Sequence, residues 1–404
     1  MSVLGPYRRL LDTPGALLFS LTGLVARLPI SMAGLGIVLL VESSQGSYGV
    51  AGAVSAVYTI ANAILAVVQG RLLDRLGQAA VLTVASVAFG IAMVGLIWSV
   101  EADLPLLVTY VAAAGAGASL PQIGSCVRAR WSHVLDRPAD VQTAFALEAV
   151  LDEVVFICGP ILATVLATSV DPVLGLVVAL VSGVGGSLAF AAQRGTEPPA
   201  HVHDHATGPR PAMPWRTLVP VAVVAAGLGV LFGAAEVTTV AFAEEQDAKG
   251  WAGGLLALWA LGSLLAGVVT GAVSWRISPE ARVRRGALAM GCAMAPLFFV
   301  DSMVVMGAVL VIGGIAIAPT LVAALSVVQR VVPPARLTEG MAIVQTGIVA
   351  GVAPGAAFSG VVVDHHGASA AYLVCLGAGL VAAVSAQLIP RNQPAARPRV
   401  TSTT

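Results

Sequence analysis

The chain has 404 residues, 57% of them hydrophobic and only 10% charged, with a mean hydropathy of +0.91, whereas soluble domains carry roughly 25% charged residues. Lys and Arg, 21 in all, balance 21 Asp and Glu, so no net basic field argues for a nucleic-acid partner. A large soluble domain is excluded. An integral membrane protein is expected, with room for about a dozen spanning helices of ~20 residues.

Hydropathy marks twelve segments in chain order: 14–41, 48–69, 79–100, 104–127, 141–167, 172–192, 216–243, 250–274, 286–300, 303–327, 338–362 and 368–390. Each must be helical, because hydrocarbon offers no partner to an open backbone. Arg8 and Arg9 precede the first segment as they would in a signal peptide. The apolar run then continues to about Val41, too long for a cleaved signal, so it reads as the first spanning helix. Pro29, Pro121, Pro160, Pro319 and Pro354 fall inside segments and are expected to mark bends. Cys126, Cys158, Cys292 and Cys375 stand singly, without metal-ligand spacing; small buried hydrophobes are expected, with no disulfide framework, metal or cofactor.

Arginines concentrate in alternate loops: Arg8/Arg9, Arg71/Arg75, Arg128/Arg130/Arg137, Arg194/Arg210/Arg216, Arg276/Arg282/Arg284/Arg285, Arg330/Arg336 and Arg391/Arg397/Arg399. The opposite loops hold only Lys249, and Arg27 lies inside a helix. Both termini are therefore expected in the cytoplasm, around an even number of crossings. The chain also repeats. Ala51-Gly52 and Gly70 of the second segment match Ala252-Gly253 and Gly271 of the eighth, Gly115 and Pro121 match Gly313 and Pro319, and the surroundings of Pro160 match those of Pro354. Three matches in the same order indicate two parallel halves. The expected organisation is a six-helix bundle over 1–193, a Pro- and His-rich flexible cytoplasmic linker over 194–215, and a second bundle over 216–404 with a short tail.

This all-α architecture of twelve transmembrane helices in two pseudo-symmetric six-helix bundles resembles the major facilitator superfamily. The loop after the second segment carries the resemblance: Gly70, Leu72, Asp74, Arg75 and Gly77 match the family's G-x-L-x-D-R-x-G signature, with Gln78 and Ala79 where basic residues are expected. The resemblance implies that Gly70, Asp74, Arg75 and Gly77 form a conformational lock, with Arg128 and Arg130 as candidate partners of Asp74. Gly159-Pro160 in the fifth segment looks like the core of a motif of the family's antiporters and drug exporters, which implies a loosened helix where the halves meet. Val155 and Ala163-Thr164 depart from that motif, and Val111 stands where many proton-coupled exporters have an arginine.

The remaining signal is intramembrane charge. Arg27, Glu148, Asp152, Glu153 and Glu236 lie well inside segments, where each costs on the order of 2.5–3.5 kcal/mol and so should face water, substrate or another charge. Glu148 and Asp152 share a helix face while Glu153 is turned away by about 100°. Two neighbouring carboxylates resist carrying two charges at once unless a cation compensates. Arg27 is the intramembrane cation, facing either Asp152 or Glu148. Glu236 is left with three roles: binding a cationic substrate, carrying a proton, or facing outer water. Tyr58, Asn62, Gln69 and Gln345 are polar enough to touch substrate. His201, His203 and His205 read as a solvated part of the linker. Catalytic and nucleotide-binding patterns are lacking. The expected protein is a monomeric, multi-pass plasma (inner) membrane transporter, not an enzyme, moving a small molecule by proton-coupled export. Uptake by symport and a non-transporting sensor are the alternatives.

Overall fold

The computed structural model describes residues 5–45, 48–200, 211–248, 251–273 and 275–391. Among them are fourteen α-helices: α1 (Gly5–Leu11), α2 (Ala16–Gln45), α3 (Tyr48–Leu76), α4 (Gln78–Glu101), α5 (Leu106–Ser119), α6 (Ile123–Val134), α7 (Pro138–Ser169), α8 (Leu174–Ala191), α9 (Trp215–Glu245), α10 (Ala252–Ala272), α11 (Pro279–Met294), α12 (Met303–Gly314), α13 (Ile317–Val331) and α14 (Leu337–Gln387). Large apolar side chains point outward from the spans, with Ile91 71%, Leu107 73% and Val304 83% exposed. Such a surface is stable only against lipid.

Twelve crossings account for these helices. The fourth and tenth are each broken, α5 from α6 and α12 from α13, and α11 is extended by a 3₁₀ turn over Ala295–Phe299. With 51 residues, α14 would be ~75 Å long if straight, more than twice the hydrocarbon core. It divides at Gly367 (φ 81, ψ 170) into two arms, each a crossing. Of the five prolines expected to mark bends, only Pro121 and Pro319 adjoin a break in the helix; Pro29, Pro160 and Pro354 lie within continuous helices.

Breaking a helix inside a membrane exposes carbonyls, and the sequence supplies their donors. Leu120 turns extended ahead of Pro121. Gln69 Nε2 donates to Ala118 O at 2.9 Å and Leu120 O at 3.1 Å, while Gln122 Nε2 donates to Asn62 Oδ1 at 2.9 Å and Leu120 O at 3.2 Å. Asn62 and Gln69, expected to touch substrate, are thus occupied in closing the α5–α6 break. Glycine allows α3 and α5 to meet there: a Cβ on Gly117 would come within 2.0 Å of Tyr58 O. The repeat reproduces this on α10 and α12, where a Cβ on Gly314 would lie 2.1 Å from the carbonyl of Trp259, the residue aligned with Tyr58.

Contacts divide the chain into two compact units. One comprises Arg9–Asp136 and Leu151–Gly208, and the other Met1–Arg8, Arg137–Val150 and Pro209–Thr404. In the first, Ile37, Leu40, Val54, Phe89, Met93 and Leu176 form a buried core. In the second, α9 is seated on α14 through bare backbone: a Cβ on Gly229, Gly233, Gly351 or Gly355 would come within 2.2 Å of a carbonyl across the seam. Small residues of this kind replace the hydrophobic effect as the source of helix packing in lipid.

The segment expected to be a flexible linker begins in order. Arg194–Thr196 form a 3₁₀ turn, Thr196 is buried, and Glu197 Oε1 accepts the N–H of Ala79 at 2.8 Å, capping α4. His201, His203 and His205 lie outside the described residues, as do Lys249, Arg210, Arg397 and Arg399. The same device closes the second unit, where Glu245 Oε1 accepts from Ala368 N at 2.7 Å beside Gly367. Cys126 and Cys375 are buried, but Cys158 and Cys292 are exposed, against the expectation for all four; every one is a free thiol.

Gly77 (φ 87) and Gly367 (φ 81) occupy left-handed backbone directly before a capped helix. An L side chain there costs roughly 1–2 kcal/mol. Gly77→Ala and Gly367→Ala are each expected to lower the thermal unfolding midpoint of the purified protein, and an unchanged midpoint would show that the joint relaxes freely.

Candidate functional site

Asp152, on α7, accepts from two guanidiniums at once: Arg27 Nη1 of α2 reaches Oδ1 at 2.6 Å, and Arg128 Nη2 of α6 reaches Oδ2 at 2.7 Å. Both cations are buried, with side chains 2% and 0% exposed, against 18% for Asp152. Each arginine is also aimed by its own helix. Arg27 Nε donates to Gly23 O at 3.0 Å and Arg128 Nη1 to Gly124 O at 3.0 Å, both one turn back. Arg27 therefore pairs with Asp152, one of its two expected partners. Glu148, one turn earlier on α7, is fully buried; Glu153 is half-buried and Glu236, on α9, is exposed.

Arg128 is the residue that sequence reasoning missed. It was expected in a cytoplasmic loop with Arg130, yet both lie inside α6 and are 0% exposed. The error came from reading the fourth segment as one helix ending near Val127. A signal was present, since Val127 and Trp131 continue an apolar helical pattern around Arg128. The ninth segment was misjudged in the same way. Its helix starts at Pro279, capped by Ser278 Oγ accepting from Ala281 N at 3.3 Å, and its first turn buries Glu280 and Arg282. Ser-Pro-Glu is a recognisable N-terminal signal.

The signature loop is a one-residue joint. Asp74 is buried in the last turn of α3, Arg75 is exposed, and Gly77 alone separates α3 from α4. Gln78, which departs from the family pattern, has a role of its own. Its Oε1 accepts from Arg130 Nε at 2.9 Å while its Nε2 donates to Cys126 O at 3.2 Å. Arg130 also donates to Gln193 O and Thr196 Oγ1, both at 3.0 Å, and lies 3.8 Å over the Phe190 ring. Of the two candidate partners of Asp74, Arg128 is thus engaged with Asp152, and Arg130 ties α4, α6 and the end of α8. In the other unit the corresponding helices are joined by an ion pair, Arg330 with Glu280, and Arg336 holds Glu339 at 2.8 Å.

Gly159 brings α7 against α2. A Cβ there would sit 2.0 Å from Ser31 Oγ, and that hydroxyl donates to Val155 O at 2.9 Å. Ser31 Oγ also lies 3.1 Å from Leu28 O on its own helix, and Pro160 lacks the N–H that would reach Phe156 O, the carbonyl after the one Ser31 touches on α7. Among the described residues no group of His, Cys, Asp or Glu is placed to hold a metal ion.

The sequence model of the Major Facilitator Superfamily matches residues 19–313. The chain belongs to this superfamily. It is an integral, multi-pass membrane transporter rather than an enzyme. Solved structures share the fold. The human organic anion transporter MFSD10 (TETRAN) is 17% identical with a TM-score of 0.72, covering 93% of this chain and 100% of its own. A bacterial homologue of the iron transporter ferroportin, in an outward-facing state with soaked iron, is 13% identical with a TM-score of 0.74, covering 93% and 99%. The E. coli fucose:proton symporter FucP is 14% identical with a TM-score of 0.65, covering 95% and 100%. No curated protein sequence matches the chain.

The bridge itself is measurable. Buried groups in one charged network couple by about 0.5–3 kcal/mol, so Arg128→Gln and Asp152→Asn are each expected to destabilise the protein, and the double variant by less than their sum. Additive losses in a thermal double-mutant cycle would mean that the two side chains do not interact.

Proposed function

We propose that this transporter exports a small organic solute in exchange for protons, with Asp152 as the coupling carboxylate. The observation that carries the reading is the bridge from Asp152 to Arg27 and Arg128. An ionised carboxylate has lone pairs for both guanidiniums, whereas a protonated one loses its charge and part of its accepting capacity. Protonation therefore releases at least one arginine, and the helix that carries it, from α7. Glu148 lies one turn away on the same helix as a second acceptor for the proton, and Glu153 and Glu236 complete the set proposed to handle protons and substrate.

Export rather than uptake is supported by the Gly159-Pro160 step, which resembles the core of the family's antiporter and exporter motif and is seated on Ser31. The similar structures include an organic anion transporter and a fucose:proton symporter, so the substrate is proposed only as a small organic molecule. Gly70, Asp74, Arg75 and Gly77 are proposed as the conformational switch, with both termini in the cytoplasm of a monomeric plasma-membrane protein.

The test uses proteoliposomes loaded with a pH-sensitive dye and a panel of small organic solutes added outside. With an antiporter, solute entering down its gradient expels protons and the lumen turns alkaline; a symporter acidifies it. Asp152→Asn should abolish the pH change while leaving solute exchange. A normal pH response in both Asp152→Asn and Glu148→Gln would remove α7 from the proton path.

The switch is tested separately. Losing a charged hydrogen bond worth roughly 1.5–3 kcal/mol in one state shifts the population by about tenfold or more. Cysteine-labelling rates on the two sides of the membrane should therefore change in opposite directions in Asp74→Asn, and rates equal to the parent's on both sides, with transport intact, would reduce the loop to a turn.

A further inference from the structure

The charged end of α11 carries more positive charge than its surroundings neutralise. Glu280, in the first turn, is taken by Arg330. Arg282 turns to the other side of the helix, where Nη1 donates to Gln142 Oε1 at 2.7 Å and the guanidinium lies 4.6 Å over the Trp275 ring. That leaves Arg284 and Arg285 on α11 and Arg391 just beyond α14. Among the described residues no carboxylate pairs with any of them.

Arg284 is half-buried and incompletely bonded. Its Nη2 donates to Ile389 O at the end of α14, while its Nε is buried with no hydrogen-bond partner among the described residues. Arg391, two residues beyond that carbonyl, is exposed and close enough to repel Arg284. A buried donor without an acceptor and two like charges side by side both cost free energy, and a single anion relieves both.

The neighbouring surface says which kind of anion. α11 and the second arm of α14 touch through bare backbone, since a Cβ on Gly379 would come within 2.4 Å of Gly291 Cα. Leu288, one turn from Arg284 on the same face of α11, is exposed, and so is Cys292 a turn further. On α14, Leu380, Val384 and Leu388 recur every four residues, all exposed, and lead toward Arg391. Positive charge at one end of an apolar stripe on each helix matches the outline of a phospholipid, with its head at the arginines and its chains along the leucines. Guanidiniums offer paired N–H donors to phosphate oxygens, and basic pockets between membrane helices bind such headgroups.

We propose that Arg284 and Arg391 form a binding site for an anionic phospholipid, its phosphodiester between the two guanidiniums and its chains against Leu288 and the exposed stripe of α14. The bound lipid ties the first turns of α11 to the end of α14. This assignment is independent of the coupling ion, the solute and the direction of transport.

Cys292 supplies the reporter. With the other three cysteines replaced, a fluorophore is attached there on the full-length chain, in phosphatidylcholine nanodiscs containing a small share of brominated lipid that quenches on contact. Brominated phosphatidylglycerol is expected to quench about fivefold more effectively than brominated phosphatidylcholine at equal mole fraction, the factor by which one surface arginine favours an anionic lipid. Arg284→Gln should bring the two lipids to within about twofold of each other, and so should Arg391→Gln, which lies outside the helix and leaves its packing intact. Arg276→Gln removes an equal charge from an exposed position before α11 and should leave the preference unchanged. Equal quenching by both lipids in the parent would overturn the proposal, as would a preference that survives Arg284→Gln and Arg391→Gln. A preference lost equally in Arg276→Gln would mean a diffuse positive surface, and one abolished by added glycerol phosphate would mean a site for a soluble phosphate; either result overturns the lipid assignment.

Discussion

A peptide group inside a bilayer cannot borrow a hydrogen bond from water, and the architecture of the first unit follows from how it meets that constraint at one point. The fourth crossing must change direction so that its second half, α6, can carry Arg128 to Asp152. The turn at Pro121 leaves carbonyls open, and Gln69 and Gln122 close them with amide donors that cost no charge. Were those amides absent, each orphaned carbonyl would cost about 1–3 kcal/mol, and an unbroken helix would carry Arg128 elsewhere. The polar residues of α3 are therefore the support on which the ion bridge rests.

The two units hold their central helices by different physics. Between α9 and the first arm of α14, backbone touches backbone over four glycines, an attraction made of many small dispersion contacts that responds to nothing in solution. Between α2 and α7 the corresponding tie is a charge bridge plus a single close approach at Gly159. A charge bridge does respond, to protons and to competing ions. The difference recurs away from the centre, where Gln78 and Arg130 join α4 to α6 by a neutral acceptor while Glu280 and Arg330 join α11 to α13 by charge. Sequence symmetry between the halves thus coexists with a division of labour.

Much of this was legible in the sequence, because lipid enforces simple rules. Apolar runs gave the crossings, and the repeat paired Gly115 and Pro121 with Gly313 and Pro319, although each segment was expected to bend there rather than to break. Arg27 and Asp152 stood out since charge is rare in such runs. Arg128 did not, for the same reason in reverse: at the edge of an apolar run it is indistinguishable from the arginines that hold loops on one side of a membrane. Its burial depends on α6 continuing past the point where hydropathy fades, which is a property of tertiary packing. The role of Gln69 was equally hidden, because its partners are backbone atoms, and backbone carries no letter in a sequence.

The one-residue joints at Gly77 and Gly367 have a consequence for biogenesis. Crossings joined by a long loop can enter the bilayer one at a time, the second waiting outside while the first settles. Helices joined by a single glycine have no slack for that. α3 with α4, and the two arms of α14, must pass through the insertion machinery as helical hairpins, each delivered whole. The carboxylates that later cap these joints, Glu197 and Glu245, belong to other segments of the chain, so each hairpin arrives with its new helix end open and is closed only when the rest of its own unit has assembled around it.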